Sequence, residues 1–117
     1  MTNTTTIETI KRQISEHSVL LYMKGTPDFP NCGFSARVAQ ILNHLNTRYA
    51  YVNILDNPDI RATLPQYANW PTFPQLYIQG ELVGGCDIVT ELFEQGELKP
   101  MLEAVSALGA NSEIIMA

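Results

Sequence analysis

Apolar residues recur along the first part of the chain in two patterns, one helical and one typical of a buried strand. Three isoleucines at helical spacing predict an amphipathic helix over residues 6–17, with a threonine among residues 4–6 as its N-cap and Glu8 in its first turn. The run Val19–Met23 is apolar without alternation, which favours a strand buried on both faces. The chain therefore begins with a helix followed by a central strand.

A second helix and a second strand follow. Apolar residues keep helical spacing over residues 33–46, and Tyr49–Ile54 is typical of a strand. A strand, a helix-long crossover and a strand predict two parallel neighbours with a right-handed connection.

The second half of the chain carries clear start and turn signals. An Asx cap and a proline over Asp56–Asp59 predict a helix running toward Tyr67, which Pro65 should break or tighten near its end. A rigid turn, Asn69–Pro74, comes next. Gln79-Gly80 lies between two short apolar segments and is a hairpin signal. The remaining predicted elements are strands 75–78 and 81–83, a helix over 88–94 with Asp87 as N-cap, a helix over 98–108, and a frayed tail over 109–117.

These elements predict one α/β domain over residues 1–117, with its core at about 7–108. The sheet would have four strands in a mixed arrangement, with helices on both faces. Its first two strands would be parallel, and its last two would form an antiparallel hairpin.

Composition narrows the function classes. The 45% apolar fraction disfavours disorder and a membrane-embedded fold, and the net charge of −5 disfavours nucleic acid as a partner. The longest apolar run is too short to span a bilayer, and the polar N-terminal residues have no hydrophobic secretory segment behind them. We therefore expect a cytoplasmic protein with no membrane partner.

Cys32 is the principal candidate for chemistry. It lies where the loop after the first strand becomes the first turn of a helix, and free backbone N–H groups there favour thiolate over thiol. Lys24 adds a cation if the loop folds back, and Pro27 and Pro30 would hold the loop in shape. Taken alone, a free cysteine is more often a small buried apolar residue.

The sequence contains no pair of cysteines at the spacing of a redox motif. Cys86 is 54 positions from Cys32, so the two cysteines are not a paired redox motif. A dithiol oxidoreductase needs a second cysteine three residues after the first, and Ser35 stands there. Serine cannot resolve a mixed disulfide. In isolation Ser35 would be only a small residue in a helix start.

Four segments together resemble the monothiol glutaredoxins, which have the thioredoxin-like fold. The segments are Lys24–Pro27, Pro30–Ser35 with its Cys-Gly-Phe-Ser sequence, Trp70–Ile78 and Gly80–Asp87. The resemblance covers roughly residues 7–105 and is close to the single-domain bacterial members. It implies that the bond between Phe73 and Pro74 is cis, which would leave the Phe73 backbone free to pair with an extended peptide.

The resemblance also implies a glutathione site beside Cys32. Asp87 would take the free amine, the following helix start would take a carboxylate, and the Gly84-Gly85 pair would let backbone approach the ligand. Lys24 and Arg61 would meet the second carboxylate, although surface salt bridging is the plain alternative for two cations. The residues implied to hold glutathione are Lys24, Arg61, Thr72, Phe73, Cys86 and Asp87.

Two functions remain open. One is reduction of glutathione mixed disulfides through Cys32, at most a weak activity. The other, which the resemblance favours, is carriage of a [2Fe–2S] cluster in iron–sulfur cluster biogenesis, with Cys32 as the metal ligand. Two chains and two glutathiones would supply the four thiolates, giving a cluster-bridged homodimer. The resemblance further implies BolA-like proteins and iron–sulfur recipient proteins as partners.

Other residues carry weaker expectations. Cys86 is a hypothetical resolving thiol that bonds to Cys32 on oxidation. Trp70 is expected to pack at the edge of the site, whereas His17 and His44 are expected on the surface. Tyr22 and Tyr77 are expected in the core, and Gln66 and Gln75 give no functional signal.

Overall fold

The computed structural model describes residues 4–109 and 113–117, which form five helices and five strands. The elements are α1 (Thr4–Glu16), β1 (Val19–Met23), α2 (Gly33–His44), β2 (Tyr49–Asn53), α3 (Pro58–Ala68), β3 (Gln75–Ile78), β4 (Glu81–Gly84), α4 (Cys86–Glu94), α5 (Leu98–Ala104) and β5 (Ile114–Met116).

One mixed sheet has the strand order β4-β3-β1-β2-β5. The parallel pairing of β1 with β2, with Leu20 beside Ala50, confirms the predicted crossover. Strand β3 runs antiparallel to β1 and forms the predicted hairpin with β4. Gln79 and Gly80 both have positive φ, 51° and 79°, and this left-handed pair matches the twist of a tight hairpin.

The fifth strand corrects the expected number of strands. Ile114–Met116 pairs parallel with Tyr49–Tyr51 at the outer edge of β2, so a frayed tail is wrong for these residues. Without this strand, β2 would lie at the edge of the sheet with unpaired backbone N–H and C=O groups. Such an edge favours pairing with another strand. Residues 110–112 of the expected tail lie outside the described residues.

Three helix ends also differ from the predictions. Helix α1 begins at Thr4, so Thr5 and Thr6 are helical rather than capping, and no acidic residue lies in its first turn. Helix α4 has Gly85 as its N-cap and Asp87 within its first turn. Helix α5 ends at Ala104 because the chain turns at Ser106, whose φ is 58°, and no glycine marks this stop.

Helix α3 passes through Pro65 without a break, contrary to the expectation. A proline ring has a helical φ, so its cost is a missing hydrogen bond and crowding of the preceding turn. The buried face of α3, formed by Ile60, Thr63 and Leu64, packs on the sheet and holds the helix together.

The core has two layers divided by β1, all of whose residues are buried, as expected. Val19, Leu21 and Met23 face the layer that contains α2, α4 and α5. Leu20 and Tyr22 face the layer beneath α1 and α3. The sheet thus has helices on both faces, and its central strand ends beside the candidate functional site. Among the described residues, no helix is long and apolar enough to cross a bilayer.

Candidate functional site

A cavity of about 540 Å³ opens beyond the end of β1. Its walls come from the start of α2, from α3, from the turn before β3 and from the start of α4. All seven residues that the sequence singled out line this cavity: Lys24, Cys32, Arg61, Thr72, Phe73, Cys86 and Asp87. The fold therefore brings together residues from four separate segments. The ligand role of each residue stays a prediction.

Cys32 is the N-cap of α2, half-buried and extended, with φ −154°. The backbone N–H of Ser35 is the main cause that lowers the pKa of its thiol, and burial opposes that shift. The Phe34 N–H, the charge of Lys24 and the Ser35 hydroxyl lower the pKa further. The helix start therefore favours thiolate, for the physical reason anticipated from the sequence.

The loop before Cys32 folds back on itself, which is the condition under which Lys24 was expected to add a cation near the thiol. The Asn31 N–H donates to the Lys24 carbonyl at 2.9 Å, which closes a small hairpin with its tip at Thr26–Phe29. The Gly25 N–H donates to Oδ1 of Asn53 at 2.9 Å, so the end of β2 anchors the loop. Sequence reasoning missed Asn53, because nothing local distinguishes an asparagine at a strand end.

The turn before β3 contains the cis bond between Phe73 and Pro74 that the family resemblance implied. Gln75 follows it and is completely buried. Its Nε2 donates to the carbonyls of Trp70 at 3.0 Å and Thr72 at 3.2 Å. Sequence reasoning found no signal at Gln75. A signal was nevertheless available, because Gln75 is the polar residue of a strand whose other residues are apolar and buried.

The start of α4 forms the opposite wall of the cavity. The two glycines before it leave room for protein atoms, and the close approach of ligand backbone expected of them stays a prediction. A Cβ on Gly84 would lie 2.8 Å from the Ile88 side chain, and one on Gly85 would lie 3.2 Å from the Pro74 carbonyl. Both cysteines are free thiols, and Sγ of Cys86 lies 3.9 Å from Oγ1 of Thr90.

Neither cation of the cavity is used in a salt bridge within residues 4–109 and 113–117. The single ion pair found there joins Arg12 and Glu16 on α1. Lys24 is half-buried and Arg61 is exposed, so both charges remain available to a ligand. Structural salt bridging therefore does not explain these two residues.

The remaining expectations concern residues beside or away from the cavity. Trp70 lies at its edge as expected, with its indole N–H buried and unpaired within the described part of the chain. Tyr22 and Tyr77 are core residues whose rings meet edge to face at 5.7 Å. His44 is exposed and packs on Phe93, away from the cavity. No group of three or more metal-ligating side chains occurs among the residues described.

Sequence comparison places these features among known proteins. The glutaredoxin family model matches residues 19–83. Glutaredoxin 4 of Pasteurella multocida is 61% identical over 102 residues, which cover 87% of this chain and 94% of that protein. Glutaredoxin 4 of Escherichia coli K12 is 61% identical over 103 residues, which cover 88% and 90%.

Solved structures show the same fold. Reduced poplar apo GrxS14 is 48% identical, with a TM-score of 0.76 over 91% of this chain and 98% of that one. The buckwheat glutaredoxin–glutathione complex is 26% identical, with a TM-score of 0.80 over 92% and 96%.

Proposed function

The chain belongs to the glutaredoxin family as a monothiol member with the sequence Cys32-Gly-Phe-Ser35, and we propose that two copies of it carry one [2Fe–2S] cluster. The observation that carries the proposal is the cavity itself. A single activated thiol, two cations that form no salt bridge with other described residues, and an acidic helix start line one space that is large enough for a tripeptide.

Glutathione is the proposed occupant of that cavity. It has a carboxylate at each end and one amine beside one of the carboxylates. Lys24 and Arg61 supply positive charge for one carboxylate, and the free N–H groups at the start of α4 suit the other. Asp87 suits the amine. The backbone of Phe73, which makes no hydrogen bond within the described residues, is available to the extended ligand.

The sulfur count favours the carrier function. A [2Fe–2S] cluster requires four ligands, usually thiolates, and the described part of one chain holds no group of side chains that could supply them. Ser35 puts a hydroxyl where a second cysteine would stand. Cys32 from each of two copies, with the thiol of one bound glutathione beside each, gives four thiolates. The cluster is then cargo, held by ligands that can exchange.

Transfer requires partners, and we propose BolA-like proteins and iron–sulfur recipient proteins on the strength of the family resemblance. The surface around Cys32 suits such contacts because it carries two exposed aromatic side chains. Phe29 is 78% exposed and Phe34 is 62% exposed. We place the protein in the cytoplasm, where glutathione keeps thiols such as Cys32 and Cys86 reduced.

Anaerobic reconstitution with iron and sulfide tests the carrier function. With glutathione present, we expect visible absorption from the cluster and a dimeric mass. Without glutathione, or in Cys32→Ser, we expect a colourless monomer. Cys86→Ser is the matched cysteine control and should still bind the cluster. A colourless monomer from the unaltered chain in the presence of glutathione would refute the proposal.

The lowered pKa of Cys32 supports a second candidate function, reduction of glutathione mixed disulfides. The Cys32 thiolate would attack the glutathione sulfur, forming a Cys32–glutathione disulfide and releasing the protein thiolate. A second glutathione thiolate would then attack that disulfide, giving oxidised glutathione and restoring Cys32. A substantial turnover rate on a glutathionylated peptide, combined with failure to bind the cluster, would favour this function over the first.

A further inference from the structure

We infer that Gln75 is a positioning residue, which holds the turn from Trp70 to Pro74 in the form that accepts glutathione. This inference rests on the glutathione site proposed above. It assigns a function to a side chain that does not line the cavity and lies behind its wall. Three residues of that wall, Trp70, Thr72 and Phe73, belong to the turn.

The turn has little hydrogen bonding of its own. Pro71 and Pro74 have no backbone N–H to donate. The last backbone bond before β3 runs from the Trp70 N–H to the Pro65 carbonyl at 3.0 Å. Within the described part of the chain, no backbone–backbone hydrogen bond outside the strands fixes residues 71–74.

The carboxamide of Gln75 supplies the missing bonds. Its Nε2 donates to the carbonyls of Trp70 and Thr72, so one nitrogen fixes two peptide groups two residues apart. Phe73 follows the second of these groups directly. Gln75 therefore fixes the orientation of the Phe73 backbone, which the ligand would contact, from the side of the turn that faces away from the cavity.

Gln75 is itself held firmly in place. Its Oε1 accepts a hydrogen bond from the Tyr77 hydroxyl at 2.9 Å. Burial raises the pKa of Tyr77 to about 12, so this hydroxyl remains a donor at neutral pH. The Tyr77 ring packs edge-on against Tyr22, whose hydroxyl donates to Gln13 of α1 at 2.8 Å. The two bonds from Nε2 set the orientation of the carboxamide, because only its NH2 group can donate to both carbonyls, and the Tyr77 hydroxyl satisfies the remaining oxygen.

Two variants separate positioning from simple stability. Gln75→Met keeps the side-chain length and removes both carbonyl bonds together with the bond from the Tyr77 hydroxyl. Tyr77→Phe removes only the bond to Oε1 and leaves the two carbonyl bonds intact. Each variant leaves a buried polar atom without a partner, so both should lower the melting temperature. Only Gln75→Met should alter the turn.

The chain provides its own reporter, because Trp70 is its single tryptophan. Glutathione affinity is measured by titration of Trp70 fluorescence, and exposure of the turn in the free protein by acrylamide quenching. For Gln75→Met we expect at least about tenfold weaker glutathione binding and stronger quenching, since two hydrogen bonds to the turn are lost. For Tyr77→Phe we expect affinity within about twofold of the unaltered chain and unchanged quenching.

The pKa of Cys32 is a further measurement, and neither variant should change it. The pKa of Cys32 is set by the start of α2 and by Lys24, so it should be the same in both variants. Equal affinity and equal quenching in Gln75→Met and Tyr77→Phe would overturn the inference and leave Gln75 a core residue. If the unaltered chain binds no glutathione, the proposed function fails. Quenching of the free protein then still decides whether Gln75 holds the turn.

Discussion

The hydroxyl of Ser35 accepts a hydrogen bond from the backbone N–H of Lys24 at 3.0 Å. Ser35 lies in the first turn of α2 and Lys24 follows the end of β1, so the bond joins the two segments on either side of the loop that leads to Cys32. Ser35 is fully buried. The serine of this motif therefore does more than occupy the place of a second cysteine, because it also fixes the cation beside the thiol.

Ser35→Ala should lower the free energy of unfolding by about 1 kcal/mol, because the Lys24 N–H loses its partner. It should also raise the pKa of Cys32, since the serine hydroxyl helps to lower it. The rise should be partial because the backbone N–H of residue 35 remains. Chemical denaturation and the pH dependence of thiol alkylation measure the two effects. Ser15→Ala, at an exposed serine of α1 whose Oγ donates to the Arg12 carbonyl, is the control. It should leave the pKa of Cys32 unchanged and shift the free energy of unfolding by less than about 0.5 kcal/mol.

Alkylation of Cys32 by iodoacetamide should have a midpoint pH below that of an ordinary thiol, because thiolate is the reacting form. Lys24→Gln should raise the midpoint, since loss of the cation destabilises the thiolate and lowers its fraction at neutral pH. The measurement uses a Cys86→Ser background, so that one thiol reacts. Lys11→Gln on α1 should leave the midpoint unchanged. An ordinary midpoint in the unaltered chain would contradict the role given to the helix start.

Gly25→Ala should destabilise the loop before Cys32. Gly25 has φ 93°, and a Cβ there would lie 2.6 Å from the Phe29 carbonyl oxygen. We expect the free energy of unfolding to fall by about 2 kcal/mol, from the strained backbone and the clash. Gly33→Ala is the matched control because its Cβ would meet no atom within 4 Å. That variant should be unchanged or slightly stabilised, by less than about 1 kcal/mol.

Asp87→Asn should weaken glutathione binding by about tenfold, because a charge-assisted bond to the ligand amine becomes a neutral one. Calorimetric titration measures this. The exposed Glu91 lies on the same helix but outside the cavity, so Glu91→Gln tests whether the effect depends on location rather than on net charge. Equal losses from the two variants would argue for a general electrostatic effect instead of contact with the amine.

A chain that ends at residue 112 should be less stable by about 1–3 kcal/mol, because β2 loses its outer neighbour. The lost bonds include those from the Tyr49 N–H to the Glu113 carbonyl and from the Ala117 N–H to the Tyr51 carbonyl. Amide hydrogen exchange should accelerate along β2, and the exposed edge should promote association. Met116→Lys changes only an exposed side chain and is the control. Glutathione binding should be unaffected, since β5 does not line the cavity.

The sequence by itself determined the elements that depend on near neighbours. The apolar run Val19–Met23 marked β1 residue for residue, Gln79-Gly80 marked the hairpin, and Cys32 was correctly placed at a helix start. These features follow from side-chain periodicity and backbone preference, which act within a few residues. The family resemblance, rather than any local pattern, supplied the cis bond before Pro74 and the glutathione-binding role expected of six cavity residues: Lys24, Arg61, Thr72, Phe73, Cys86 and Asp87.

Only the tertiary structure decided the features that need a partner far along the chain. Strand β5 forms because β2, more than 60 positions earlier, has an open edge. Asn53 acquires its role because folding brings the Gly25 amide, 28 positions earlier, within hydrogen-bonding reach. The partners of Gln75 are only three and five residues away, but its side chain meets them because the folded turn curves back over the start of β3. A buried polar side chain must satisfy its hydrogen bonds, but which groups satisfy them depends on the packed fold and not on the sequence around it.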